Sequence, residues 1–82
     1  MIHNTTIEKI CRAIIAKLLD EKSVHTITDI DLTNGFSDWL DAKEHEGVDI
    51  KPYLDAEMAI DEELQMQMSE LQATALDIKV VK

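Results

Sequence analysis

Twelve carboxylates and only two bases, Lys43 and Lys51, lie between Asp29 and Glu63. Asp38, Asp41 and Glu44 recur every three residues, Glu57 and Asp61 stand four apart, and Glu62 adjoins them. On a helix, residues three or four apart are neighbours at roughly 5–6 Å, and like charges there repel by a few tenths of a kcal/mol per pair. An arriving cation relieves that repulsion. Carboxylates held on a rigid surface therefore imitate a phosphate array and steer a basic protein into place. A solvated face that only keeps the chain in solution is the plain alternative. Catalysis asks for more, because one carboxylate must be set apart by a pocket that shifts its pKa. A chain of 82 residues has little material for such a pocket.

Other chemistries find weaker footing. Asp29, Asp31, Asn34 and Gly35 have the oxygen-rich look of a calcium loop, but Asn34 stands at the glycine position and Leu40 where a bidentate Glu belongs. A turn with local Asx hydrogen bonds explains them better. His3, His25 and His45 share no ligand spacing, and no metal site is assigned. Cys11 is the sole cysteine, so neither an internal disulfide nor a cysteine zinc cluster is possible. It falls on an apolar helical stripe, where a thiol is a small core group and a poor nucleophile. Gly35-Phe36-Ser37-Asp38-Trp39 lacks the second glycine of a nucleophile elbow. No catalytic residue and no cofactor is assigned, and the expectation is a protein that is not an enzyme.

The charge is unevenly divided. Residues 1–22 carry four bases against three acids, while residues 23–82 carry four bases against fourteen acids, for a total of −9. Phosphate repels such a charge, so direct binding of nucleic acid is not expected. A basic or nucleic-acid-binding protein is the fitting partner, with Trp39 and Tyr53 as aromatic anchors beside the acids. The apolar fraction of 45 % argues for a packed core over an acidic disordered tail. No apolar run nears the roughly 20 residues of a membrane span, and the N-terminus lacks a signal-peptide pattern, so a cytoplasmic setting is expected.

The elements that must position these groups read mostly as helix. Thr5 and Glu8 have capping-box spacing, and Ile7, Ile10, Cys11, Ile14, Ile15, Leu18 and Leu19 form one stripe, predicting a helix over 6–21. Residues 24–32 are rich in β-branched side chains and alternate as a strand would. Thr28 and Asp31 also match a capping box, and Asn34-Gly35 would end a short helical turn. The reading leans to an extended approach and a short turn. Ser37 then caps a second, short helix that Gly47 stops, with Trp39, Leu40 and the Lys43 stem turned inward. Pro52 suits the first turn of a third helix. Leu64, Met68, Leu71, Ala75 and Ile78 follow at steps of four and three, with Leu54, Met58 and Ile60 ahead of them. Unbroken to Ile78, that helix would be roughly 40 Å long, so it either breaks, near 61–63 or 73–74, or projects to pair with another chain. The methionines Met58, Met66 and Met68 beside Leu64 and Leu71 read as a core or homodimer seam, or as an adaptable partner groove.

The expected architecture is thus one acidic domain over 1–82, a small three- to four-helix bundle. The alternative is a small α+β fold pairing strands from 24–32 and 77–81. Thr6-Ile7-Glu8-Lys9-Ile10, Asp31-Leu32-Thr33-Asn34-Gly35 before Ser37, and Gly47-Val48-Asp49-Ile50-Lys51-Pro52 together resemble segments of acyl carrier proteins. The resemblance covers under a third of the chain and implies Ser37 as the attachment point of a phosphopantetheine arm. Where that family carries Asp-Ser-Leu, this chain has Phe36-Ser37-Asp38. Three functions follow as expectations: an acidic, non-enzymatic interaction module acting as an inhibitor or nucleic-acid mimic, a self-associating helical protein, or a divergent carrier.

Overall fold

The computed structural model describes the backbone of residues 2–81 and the side chains of residues 2–74. It is an all-helical bundle: α1 (Asn4–Glu21), a 3-10 turn (Val24–Thr26), α2 (Asp29–His45), the single-turn-and-a-half α3 (Lys51–Asp55) and α4 (Glu57–Val81). The strand pair is not formed, since 24–32 is turn and helix and 77–81 is helix.

Helix α1 starts two residues before the expected position. His3 is its N-cap and its side chain accepts the Thr5 N–H, so Thr5 and Glu8 lie inside the helix and the box between them is not used. This start places Ile2 and Ile7 at the two positions of a hydrophobic staple, and Ile2 rests half-buried on the core. Ile7, Ile10, Cys11, Ile14, Ile15 and Leu18 are all buried, as the stripe requires, while Leu19 at its edge is exposed.

The β-branched stretch resolves through its caps. The Thr28 side chain accepts the Asp31 N–H, and the Asp31 carboxylate accepts the Thr28 N–H. Ile27 before the cap and Leu32 after it are both buried, forming a second staple. A strand would have put Leu32 and Ile27 on opposite faces; the cap buries both and leaves Ile30, 71 % exposed, in water. With α2 begun at Asp29, the short-helix expectation falls. Ser37 lies mid-helix and caps nothing, and Gly35 ends no turn. Gly47 does end α2, at φ +86°: its N–H reaches the Glu44 carbonyl and Val48 N–H reaches that of Lys43, a Schellman closure that a side chain at this position would strain.

Asp31 has a second partner, Lys22 at 2.9 Å, tying the end of α1 to the start of α2. The Lys22 ammonium first, then the capping hydrogen bonds, hold its carboxyl below the usual carboxylate range. A depressed folded pKa means the stabilisation is complete above the unfolded value near pH 3.9 and is lost as pH falls through the lower folded value. Asp31→Ala should therefore melt below the parent at about pH 6, with the gap in melting temperature closing as pH falls below the usual carboxylate range. A gap that stays constant with pH would show that the Asp31 charge, and with it the ion pair, adds nothing to the folded state.

The chain breaks at Ala56, one turn past Pro52, and α4 then runs through both expected break points without interruption. At 25 residues it is about 37 Å long and accounts for a molecule of 47 × 24 × 17 Å. Ile60, Leu64 and Met68 on one face of α4 complete the core with Leu32, Phe36 and Leu40 of α2. The thiol of fully buried Cys11 donates to the Ile60 carbonyl at 3.4 Å, marking the close approach of α1 and α4. Burial, aided by the Glu63 charge, pushes that thiol up to about 12, so it stays protonated at neutral pH. Gln72 donates to the Val24 carbonyl and Gln67 to that of Glu8, pinning the turn and α1 onto α4. No helix among the described residues is long and apolar enough to cross a membrane.

Candidate functional site

The acids expected to share one face are distributed by the bundle. Asp38, Asp41 and Glu44 are all exposed along α2. Asp38 borders the α1–α2 groove together with Lys17 and Glu21. Glu57 and Asp61, one turn apart, border a different groove between α2 and the α3–α4 corner. Glu62, the next residue on α4, turns instead toward α1 and lines a third groove with Glu8 and Glu63. One linear cluster thus becomes three, because α4 rotates by about 100° per residue and sends neighbours to different sides.

The aromatic residues are drawn inward. Trp39 stacks on Phe36 with centroids 6.5 Å apart, and Tyr53 meets Trp39 edge-on at 5.0 Å. Lys43 lays its ammonium 5.5 Å from the centre of the Trp39 ring and pairs with Glu46 at 3.7 Å, so its stem does turn inward. Tyr53 is how α3 is fastened to α2. Trp39 and Tyr53 are half-buried and keep only part of their surface for another molecule.

The groove between α2 and α3–α4 has a volume of about 500 Å³ and joins an apolar floor to an acidic rim. Phe36, Leu40 and Leu64, all buried, form its floor. Leu54 and Met58 form the wall, 46 % and 80 % exposed, with Thr33 and Ser37 on the α2 side. Glu57 and Asp61 stand on the rim. Among the described residues the ion pairs are Lys22–Asp31 and Lys43–Glu46, so neither rim acid is neutralised by the fold. Asp61 only accepts a long hydrogen bond from Gln65 at 3.4 Å. In the sequence Met58 and Leu64 read only as part of a methionine–leucine seam or partner groove, and Leu54 with the Phe36 and Leu40 floor was missed as a site. Their one signal was an apolar pair four apart, interleaved with an acidic pair four apart.

A fourth surface, also between α1 and α4, exposes Leu19, Met66 and Leu71 beside Arg12 and Glu70. The methionine row is therefore divided: Met68 belongs to the core, Met58 to one groove and Met66 to another. Ala75 and Ile78 of the expected seam lie outside the described side chains. No three His, Cys, Asp or Glu side chains among the described residues are grouped to hold a metal ion.

Fold and surface together define a class, a small acidic four-helix protein with an apolar groove rimmed by carboxylates. Comparison with protein-family models, with curated proteins and with solved structures found no match to this chain.

Proposed function

We propose that the chain is a non-enzymatic, acidic interaction module that binds a basic partner protein, including one whose own ligand is nucleic acid, and acts on it as an inhibitor or nucleic-acid mimic. The observation supporting this reading most is the pair of acids Glu57 and Asp61, in no ion pair among the described residues and fixed on a helix at the lip of an apolar groove. Asp38, Asp41, Glu44 and Glu62 extend the negative field around the bundle and attract the partner from a distance, while apolar contact retains it. The protein is expected to act in the cytoplasm.

Affinity for such a partner falls with ionic strength, since the screening length shrinks from about 10 Å at 0.1 M salt to about 3 Å at 1 M. Capture from a lysate with the tagged protein should recover a basic protein at about 50 mM salt and release it at about 500 mM, with affinity at least tenfold weaker. A partner held equally at both salts refutes the electrostatic reading.

The second reading, self-association, is favoured by exposed Leu19, Met66 and Leu71 on the α1–α4 side. Sedimentation in the same buffers distinguishes the two. An oligomer dissolved by Leu71→Asp and indifferent to Asp38→Lys and Asp41→Lys would replace the first reading with the second.

A further inference from the structure

We propose that the groove between α2 and the α3–α4 corner docks a basic amphipathic helix of the partner protein. This rests on the acidic-module reading for its charge and adds the site and the shape of what fills it.

Three features of the groove converge. Its floor is the apolar face of the core itself, so an entering side chain meets Phe36, Leu40 and Leu64 without any buried polar group in the way. Its wall holds Met58 and Leu54 in water, and a flexible thioether adapts to the side chains of a helix laid against it. Its rim carries Glu57 and Asp61 one turn apart, a rise of about 6 Å, which matches Lys or Arg at positions i and i+4 of a helix lying alongside. The flanking elements are helices and offer no sheet edge, so the applicable mode is a helix laid into a groove, read through anchors at i, i+4 and i+7.

Charge also decides against the nearest alternative occupant. A second copy carries −9 overall, and its α2 and α4 are acid-rich on their outer faces, so seating either one here sets carboxylate against carboxylate. The bases of α1 are interspersed with Glu8, Asp20 and Glu21 and present no purely cationic face.

The test uses the full chain and a fluorescein-labelled peptide of about 20 residues, with Leu at i, i+4, i+7 and i+11 and Lys flanking them. A scrambled peptide of the same composition is the control, and anisotropy is read at about 50 mM salt. The expected result is binding of the amphipathic peptide at least tenfold tighter than the scrambled one, with backbone amide shifts at Thr33, Ser37, Leu54 and Met58. Met58→Glu discriminates sharply. It adds an acid, so diffuse attraction predicts tighter binding, whereas groove docking predicts binding about fivefold weaker. Asp61→Asn should weaken binding by several-fold more than Asp41→Asn, which removes the same charge outside the groove. Circular dichroism of each variant shows whether the bundle is intact. Equal binding of both peptides, or equal effects of Asp61→Asn and Asp41→Asn, overturns the groove and leaves the acidic reading standing. Attraction to neither peptide overturns both. A dimer abolished by Met58→Glu would overturn the helix in favour of a second copy.

Discussion

Replacing Leu64 with alanine is expected to cost about 2–5 kcal/mol of folding stability, while the same change at Leu71 costs under about 1 kcal/mol. Both residues belong to one apolar repeat along α4, yet Leu64 is 1 % exposed and Leu71 is 39 % exposed. Leu64 belongs to the one buried core, and removing it leaves both a lost transfer free energy and a cavity the neighbours close only partly. A domain of this length has a total stability of roughly 4–12 kcal/mol, so the Leu64 change removes a large share of it. Urea unfolding followed by circular dichroism should show the midpoint falling by about 2 M for Leu64→Ala at a slope near 1.5 kcal/mol/M, and by a small fraction of that for Leu71→Ala. Equal losses at the two positions would mean that Leu71 is covered by something beyond its own chain, which is the self-associating reading.

The second large effect is at Gly35. It sits in the middle of α2 where that helix crosses α1, and a Cβ there would stand 2.8 Å from the Ile14 Cγ2 methyl and 3.5 Å from a Leu18 methyl. Two effects of opposite sign compete. Alanine improves the helix by about 0.5–1 kcal/mol relative to glycine, and forcing a methyl into a packed interface costs about 1–3 kcal/mol. The steric effect wins, because Cγ2 is fixed to the stiff β-carbon of a buried Ile and has no way to swing aside. Gly35→Ala should lose about 1–2 kcal/mol net. Ile14→Ala removes the obstructing methyl, and in that background Gly35→Ala should be neutral or stabilising by up to about 1 kcal/mol. A double-mutant cycle that adds within about 0.3 kcal/mol would show that the Ile14 methyl is not what opposes a side chain at Gly35.

Gly35 also illustrates why the middle of the chain was hard to read in one dimension. Asn34-Gly35 has the composition of a turn, and Ser37 that of a cap, so a short second helix was the natural expectation. Nothing local distinguishes a glycine that ends a helix from one that lets two helices touch. Gly47 was legible because its signal is local: a left-handed residue closing hydrogen bonds to the two residues that precede the end of α2. The stretch from Val24 to Leu32 held two competing programmes, β-branched alternation and the Thr28–Asp31 cap. The cap prevailed with a helical arrangement that buries both Ile27 and Leu32 in the core, which alternation along a strand would not do. The acids were legible as charge and their grouping was not, since Asp61 and Glu62 are adjacent in sequence and face different grooves.

By itself, the sequence determined the helical class, the buried stripe of α1, the role of Cys11 as a core group and the acidic balance of everything after residue 22. These properties follow from composition or from residues within two turns of one another, where helical periodicity and capping act. Tertiary structure alone decided that Ser37 lies within a long α2, that Leu64 and Met68 are core while Leu71 is surface, and that Leu54, Met58, Glu57 and Asp61 surround one groove. Those outcomes depend on how far α2 rotates against α1 and α4. The helices approach one another at Gly35 beside Ile14 and at Cys11 beside Ile60, pairs 21 and 49 positions apart that no local pattern encodes.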